Sequence, residues 1–145
     1  MTVVPPNRPK PVQAARVLLA LVGLSHLLVP VVMAAREDAL RDQIAAQHPD
    51  FGTGAVARSA DVAVLSGAVF HGVLFVLCVL LAVKLATDRP WTRQLTTVSQ
   101  LLSVVFGFVS WSSSPMFHAV IPVAAALQVA VVVLLWLPRS SRARV

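Results

Sequence analysis

Charged side chains are scarce in this sequence. Asp, Glu, Lys and Arg make up 12% of its 145 residues, whereas apolar residues make up 57%. A soluble globular domain carries roughly 25% charged residues, so the composition argues against a soluble domain and favours a polytopic membrane protein. The net charge is +6, but the basic residues lie at the edges of apolar runs rather than in a patch with aromatic residues. Nucleic acid is therefore not an expected partner.

Cysteine and metal-ligand motifs are also missing. Cys78 is the only cysteine, which excludes an intrachain disulfide and a thiolate metal cluster. The apolar runs carry no His-x-x-x-His or Glu-x-x-His pair, and the sequence has no Gly-rich phosphate loop. We therefore predict neither a metal nor a cofactor. A b-type haem between His26 and His71 stays open as an alternative, because bis-histidine ligation needs only one histidine from each of two helices.

The longest charge-free stretch is Gln94–Pro138. As one straight helix it would be about 68 Å long, roughly twice the thickness of the hydrocarbon core of a bilayer. The chain must therefore fold back once, and Ser112-Ser113-Ser114-Pro115 is the expected turn, because small polar residues and proline favour turns. This stretch predicts a transmembrane hairpin.

The whole chain is predicted to be an all-α, four-helix transmembrane bundle with spans at about 12–35, 61–85, 92–111 and 116–137. Residues 1–11 are expected to form a disordered tail and residues 139–145 a basic tail. A cleaved signal peptide is the alternative for the first apolar run. In the long connection Arg36–Ala60, Leu40 and Ile44 lie four residues apart, which predicts an amphipathic helix at the interface that is broken near His48–Gly54.

The distribution of Lys and Arg predicts the orientation. Nine lie in the N-terminal tail, the second connection and the C-terminal tail, at Arg8, Lys10, Arg16, Lys84, Arg89, Arg93, Arg139, Arg142 and Arg144. Only Arg36, Arg41 and Arg58 lie in the first connection. The positive-inside rule therefore places both termini in the cytoplasm of a cell whose inner membrane the chain crosses.

Polar and small residues mark a buried face in the third span. Thr96, Gln100, Ser103, Gly107 and Ser110 recur at helical spacing. In the second span Gly67 and His71 continue a four-residue spacing that begins at Ala63. Such spacings let helices approach closely. One interpretation is therefore that these residues serve only in helix packing, and that each hydroxyl donates to a main-chain carbonyl one turn back.

The second interpretation is a polar cavity that opens outward. Ionisable residues inside a span indicate a functional site, whereas neutral histidines that hydrogen-bond across helices are the competing explanation. The predicted polar lining consists of His26, Asp61, His71, Gln100, Ser103, Ser110 and His118. The aromatic residues available as walls are Phe70, Phe75, Phe106, Trp111 and Phe117, whereas Trp91 and Trp136 are expected at the cytoplasmic interface.

One kind of catalysis fits such a cavity. A carboxylic acid kept neutral by desolvation could protonate an apolar substrate, with aromatic faces stabilising cationic intermediates. Asp61 is the candidate acid, with Glu37 and Asp38 as substitutes, and a solvated interfacial position is the alternative for all three. No carboxylate lies deep in a span, which argues against a drug–proton antiporter.

Three segments carry a resemblance. The Leu-Arg-Asp-Gln stretch at 40–43, Ala82–Leu85 followed by Asp88–Arg93, and the closing Leu134–Ser141 together resemble small four-span membrane proteins of actinobacteria. In size and span number the chain is also similar to the small membrane-bound cyclases that close prenylated indoles. The first resemblance implies a four-span fold and no particular reaction. No catalytic motif of the cyclases matches residue by residue.

We therefore expect a non-catalytic membrane protein that binds a lipid, an isoprenoid or a partner's helix. Homo- or hetero-oligomers through helix packing are compatible with the small-residue spacings. The alternative is a membrane-embedded terpene cyclase that protonates a prenylated substrate, such as a farnesylated aromatic, and closes its isoprenoid chain through carbocations.

Overall fold

A computed structural model describes residues 10–87, 89–111 and 115–137. These residues are almost entirely helical and contain no strand, so the all-α class is confirmed. The α-helices are α1 (Lys10–Ala35), α2 (Glu37–Gln47), α3 (Thr53–Lys84), α4 (Pro90–Val109) and α5 (Val120–Trp136). Short 3₁₀ turns follow α3 at Leu85–Thr87 and precede α5 at Pro115–Phe117.

The first helix starts earlier than expected. Lys10 and Pro11 belong to α1 rather than to the predicted tail 1–11, because proline is accepted in the first turn of a helix, where its missing N–H costs nothing. The rest of that tail, the basic tail 139–145 and the predicted turn at 112–114 lie outside the described residues.

The connection between the first two spans contains more helix than predicted. The amphipathic helix is present as α2, but α3 already begins at Thr53 instead of near residue 61. Residues 53–60, which were predicted only as part of the connection, form the first two turns of α3. Val56 and Ala60 are buried together with Leu40 and Ile44 of α2, so packing between α2 and the first turns of α3 favours helix there.

The chain divides into two compact units, and one of them is residues 23–78. It holds the second half of α1, all of α2 and most of α3. Its core is the cluster around Leu40, Ile44, Val56 and Ala60, with Met33, Ala63 and Val64 packed against it. The apolar face of α2 is thus covered by protein.

The other unit consists of residues 1–22 and 79–145. Its buried residues recur every three or four positions on each helix: Val12, Ala15, Leu19 and Val22 on α1, Leu81 and Leu85 at the end of α3, Thr92, Thr96 and Gln100 on α4, and Ala125, Gln128, Val131 and Leu135 on α5.

The helices α4 and α5 pack against each other in antiparallel directions. Trp136 donates from Nε1 to Oγ1 of Thr97 over 2.9 Å. Nearer the other end, Ile121 lies close to Gly107. The predicted reversal of the chain between residues 109 and 120 is confirmed, although α4 ends at Val109 rather than at 111 and α5 begins at Val120 rather than at 116.

Two helices, α1 and α3, are long and apolar enough to cross a membrane. In their most apolar 18-residue windows only 17% and 11% of the residues are buried, whereas a core helix of a soluble protein would be mostly buried. Their exposed side chains are large and apolar, for example Leu28, Leu65 and Val73 at 61%, 67% and 63%. Among the other helices, α5 is apolar but shorter, with 17 residues.

Candidate functional site

Two histidines on different helices contact each other directly within residues 23–78. Nδ1 of His26 on α1 lies 3.1 Å from Nδ1 of His71 on α3. The ring centroids are 5.3 Å apart and the planes are tilted by 34°. Both rings are half-buried. Two of the predicted cavity residues, 45 positions apart in sequence, therefore form a direct hydrogen-bonded pair.

This bond determines which ring nitrogens carry protons. One Nδ1 must donate and the other must accept, because two bare or two protonated nitrogens cannot form it. With both rings neutral, the donor ring has a bare Nε2 and the acceptor ring has an Nε2–H. The pair therefore offers one further donor and one further acceptor at its two Nε2 atoms.

Close helix packing flanks the pair on both sides. A Cβ at Gly23 of α1 would lie 3.2 Å from Cβ of Cys78, and a Cβ at Gly67 of α3 would lie 3.2 Å from Sδ of Met33. Glycine allows this approach because it has no side chain. The small-residue spacing predicted at Gly67 therefore has a structural counterpart, and it holds α1 and α3 together next to the two rings.

The geometry bears on the haem alternative. A porphyrin ligated by His26 and His71 would have to lie between the two rings, but their Nδ1 atoms contact each other directly at 3.1 Å. This arrangement of the rings does not accommodate it. No group of three or more potential metal ligands occurs within the described residues.

One aromatic side chain lies beside the pair. Phe70 meets His71 edge-on, with centroids 5.4 Å apart and planes at 83°. The Phe70 side chain is 54% exposed, so its outer face is open at the surface. Phe75, the second predicted wall residue of this unit, has a ring carbon 3.6 Å from the position that a Cβ on Gly23 would take, and it therefore belongs to the helix contact.

The predicted polar stripe of α4 is buried only in its first half. Thr96 and Gln100 are 0% and 2% exposed, and Thr92 extends the buried stripe by one turn. Ser103 and Gly107 are half-buried and Ser110 is exposed, so the prediction of a buried Ser110 was wrong. Its position at the end of the helix explains the exposure, since Ser110 is the C-cap residue.

The buried threonines act as the packing interpretation expects. Thr96 donates from Oγ1 to the carbonyl of Thr92 over 2.7 Å, and Thr92 donates to Arg89 over 2.6 Å. Gln100 differs, because its Oε1 is buried without a hydrogen-bond partner among the described residues. Gln128 on α5 is a second buried amide in the same unit, 4% exposed.

Two predicted site residues meet at the turn between α4 and α5. The rings of Trp111 and His118 stack with centroids 4.7 Å apart and an angle of 11°. His118 also donates from Nε2 to the Trp111 carbonyl over 2.7 Å, because a carbonyl oxygen can only accept. His118 is exposed, so this contact lies at the surface, where it links the residue Trp111 after α4 to the segment before α5.

The three candidate acids are not desolvated. Glu37 forms an ion pair with Arg41, with the two side chains 39% and 43% exposed. Asp38 and Asp61 are exposed and make no hydrogen bond or ion pair to the part of the chain that the structure describes. None of the three has the burial that a neutral catalytic acid requires.

The predicted cavity residues are thus distributed over both units. His26, Asp61, Phe70, His71 and Phe75 belong to residues 23–78, whereas Gln100, Ser103, Ser110, Trp111 and His118 belong to the other unit.

Compared with known proteins, the chain matches no protein-family model, no curated protein and no solved structure. The function must therefore be argued from the residues themselves.

Proposed function

We propose that this chain is a four-span protein of the inner (cytoplasmic) membrane with both termini in the cytoplasm. In this proposal α1, α3, α4 and α5 are the spans, and the protein binds an apolar molecule, a lipid or an isoprenoid, without catalysing a reaction. The alternative is that the protein binds the helix of a partner protein instead of a small apolar molecule.

The location in a membrane is supported mainly by the distribution of polar and apolar side chains, which is the reverse of that in a soluble protein. The outward side chains of α4 are large and apolar, such as Val98, Val105 and Val109 at 53%, 57% and 69% exposed, whereas its buried side chains include Thr92, Thr96 and Gln100. Water would favour the opposite arrangement, because exposed apolar area costs free energy and buried polar groups must be satisfied. A hydrocarbon solvent accounts for it.

Helix lengths agree with four crossings. At about 1.5 Å per residue, the 20 residues of α4 and the 17 of α5 extend roughly 30 Å and 26 Å, close to a hydrocarbon core of about 30 Å. The 32 residues of α3 extend about 48 Å, so its first turns would project beyond the bilayer and carry α2.

Retention of α1, rather than its removal as a signal peptide, is supported by its contacts. Ala15 and Leu19 are fully buried, and Arg16 donates from Nε to the carbonyl of Ala82 over 2.7 Å. A segment with these contacts contributes to the stability of the folded unit.

The positions of the carboxylates and of the two histidines support a binding role rather than the cyclase alternative. Glu37 is ion-paired and the other two candidate acids are exposed, so no described carboxylate is placed to protonate an alkene. The His26–His71 pair, by contrast, offers hydrogen-bonding groups within otherwise apolar helices, which is the usual composition of a site for an apolar ligand with a polar head.

Labelling of single cysteines tests the topology. In a Cys78→Ala background, Asn7→Cys, His48→Cys, Thr87→Cys and Ser141→Cys are treated with a membrane-impermeant maleimide in intact spheroplasts and after lysis. We expect His48→Cys to react in intact cells and the other three only after lysis. Reaction of Asn7→Cys and Ser141→Cys from opposite faces would overturn the four-span arrangement.

Mass spectrometry of the lipids that co-purify with the protein tests binding. We expect an apolar molecule to be retained in stoichiometric amount through detergent exchange and to be depleted in the His26→Leu/His71→Leu double variant. Retention of no molecule, together with no binding of any added apolar probe, would contradict the ligand-binding part while leaving the topology intact.

A further inference from the structure

We infer that the guanidinium group of Arg16 binds the phosphate of an anionic phospholipid at the surface of the bilayer. The inference rests on the membrane part of the proposed function, since the start of α1 must lie near the lipid head groups. It adds a binding surface that does not involve the His26–His71 pair.

The charges of the chain are divided unequally between the two units. Residues 1–22 and 79–145, here called the basic unit, contain nine Lys and Arg side chains and one acidic side chain, Asp88, which gives a net charge of +8. Residues 23–78 contain three basic and five acidic side chains. One carboxylate cannot neutralise nine cations, so the basic unit needs anions from outside the chain.

Arg16 is the cation of the basic unit for which this need is clearest. It is half-buried, its Nε donates to the Ala82 carbonyl over 2.7 Å, and it forms no ion pair with the described residues. In the other unit, by contrast, Arg41 is paired with Glu37. Partial removal of a charge from water is unfavourable without an opposite charge nearby, so an anion beside Arg16 would stabilise the folded protein.

The bond to Ala82 leaves the outer edge of the guanidinium group for a ligand. A guanidinium group has five N–H donors in a planar fork, and Nε provides only one of them. Among the described contacts, no acceptor is bonded to either Nη of Arg16. The two Nη groups can donate in parallel to two oxygens of one phosphate, which is the geometry that arginine favours in phosphate recognition.

The direction of the Arg16 side chain agrees with a position near the head groups. Side chains of an α-helix lean toward its N-terminus, and the carbonyls of a helix point toward its C-terminus. The start of α1 and the end of α3 lie at the same end of the basic unit, as the bond between Arg16 and Ala82 shows. Trp91, 46% exposed at the start of α4, lies at this end too, and tryptophan is typical of the bilayer interface.

A phospholipid fits these surroundings better than a free anion does. Val17 and Leu21 follow Arg16 on α1 and are 58% and 47% exposed, so they offer apolar surface to the acyl chains. The exposed cations Lys84 and Arg89 attract a lipid with a net negative charge and repel the choline group of a zwitterionic one. An anionic phospholipid such as phosphatidylglycerol is therefore the expected occupant.

Lipid titrations of the full chain, read out by native mass spectrometry, test the inference. The detergent-solubilised protein is titrated with phosphatidylglycerol and with phosphatidylcholine of the same acyl chains. We expect wild type to bind phosphatidylglycerol at least about fivefold more tightly. Inorganic phosphate at the same concentration should not displace the lipid, because it lacks acyl chains.

Arg16→Gln separates the two Nη groups from the bond to Ala82. The amide nitrogen of glutamine is as many bonds from the main chain as Nε of arginine, so this variant keeps a donor for the Ala82 carbonyl. It should lower the affinity for phosphatidylglycerol about fivefold, the factor that corresponds to the roughly 1 kcal/mol contributed by one basic residue near an anionic surface.

Two further variants complete the test. Arg16→Lys keeps the charge but has no fork, so it should lose a smaller part of the affinity. If Arg16→Gln does not fold, this variant and the comparison of the two lipids on wild type still decide the question. Arg41→Gln removes a cation that is already paired with Glu37, so it should keep the affinity of wild type. Circular dichroism of each variant checks that it is folded.

The lipid site is wrong if wild type binds the two phospholipids equally, or if Arg16→Gln binds phosphatidylglycerol as tightly as Arg41→Gln does. Displacement by an equal concentration of inorganic phosphate would indicate a site for a free anion instead. An affinity of Arg16→Lys equal to that of wild type would contradict the two parallel hydrogen bonds. None of these results would affect the proposed topology, because cysteine labelling tests it without reference to bound lipid.

Discussion

Arg16 donates a hydrogen bond from Nε to the main-chain carbonyl oxygen of Ala82 over 2.7 Å, although the two residues are 66 positions apart. Ala82 lies in the last turn of α3, just before the 3₁₀ turn Leu85–Thr87. Carbonyls at a helix end lack normal partners, and a cation there meets the negative end of the helix dipole. Arg16 thus caps α3, in addition to its place in the charge asymmetry of the chain.

Loss of this cap should lower stability. We expect Arg16→Ala to reduce the free energy of unfolding by about 1–2 kcal/mol, because a charge-assisted hydrogen bond is lost and a carbonyl is left unpaired. Unfolding of the detergent-solubilised protein by increasing SDS fraction measures it. Lys10→Ala, which removes an exposed charge from the same helix, is the control, and an equal effect of both variants would contradict the capping role.

Replacing a glycine of α1 or α3 by alanine should change the stability of the protein according to the space around that glycine. Alanine favours helix by about 0.8–1 kcal/mol over glycine, and Gly72 has nothing near a new Cβ, so Gly72→Ala should be stabilising. Gly67→Ala should be close to neutral, because the flexible Met33 side chain can move. Gly23→Ala should be destabilising, since Cβ of Cys78 is attached to the backbone.

The same SDS unfolding assay measures this series. The expected order of stability is Gly72→Ala above Gly67→Ala above Gly23→Ala. If Gly23→Ala were as stable as Gly72→Ala, the close contact between Gly23 and Cys78 would not exist in the folded protein.

Gln100 should be replaceable by an apolar residue of similar size. Its Oε1 is buried without a partner among the described residues, and an unsatisfied buried acceptor costs about 1–3 kcal/mol. We expect Gln100→Leu to stabilise the protein by about 1 kcal/mol in the unfolding assay. Gln94→Leu, at an exposed position, should have little effect, and a clear loss of stability in Gln100→Leu would indicate that the amide has a partner.

The His26–His71 bond should be visible spectroscopically and energetically. Nitrogen-15 NMR of labelled protein should show one ring protonated at Nδ1 and the other at Nε2. In a double-mutant cycle with leucine, the double variant should be less destabilised than the sum of the single variants by about 1 kcal/mol, because each single variant leaves one Nδ1 without a partner. Identical tautomers in both rings, or strict additivity, would contradict the pairing.

Several features of the fold could be predicted from local pattern. Leu40 and Ile44, four apart in a charged segment, indicated α2, and the position of Thr96 and Gln100 on one face indicated the buried side of α4. Both predictions depend on helical periodicity alone. The start of α3 at Thr53 could not be obtained this way, because the helix there depends on packing of Val56 and Ala60 against α2.

For the candidate site as well, local pattern predicted some features and only the structure showed the others. His26 and His71 were recognisable as unusual residues in apolar runs, but spacing along one helix cannot state which residue of another helix lies opposite. The stripe of α4 was extended too far, to Ser110, because periodicity does not indicate where a helix ends. The three carboxylates were candidates by position, and only their exposure and the ion pair of Glu37 decided against a desolvated acid.

By itself, the sequence determined that this chain is helical, which stretches are apolar and where its positive charges lie, since these depend on composition and on periods of three to four residues. The tertiary structure decided which residues meet: Arg16 with Ala82, Trp136 with Thr97, and above all His26 with His71. Such pairs join positions 39 to 66 apart in sequence, and they depend on the register between helices, which is established only when the helices pack.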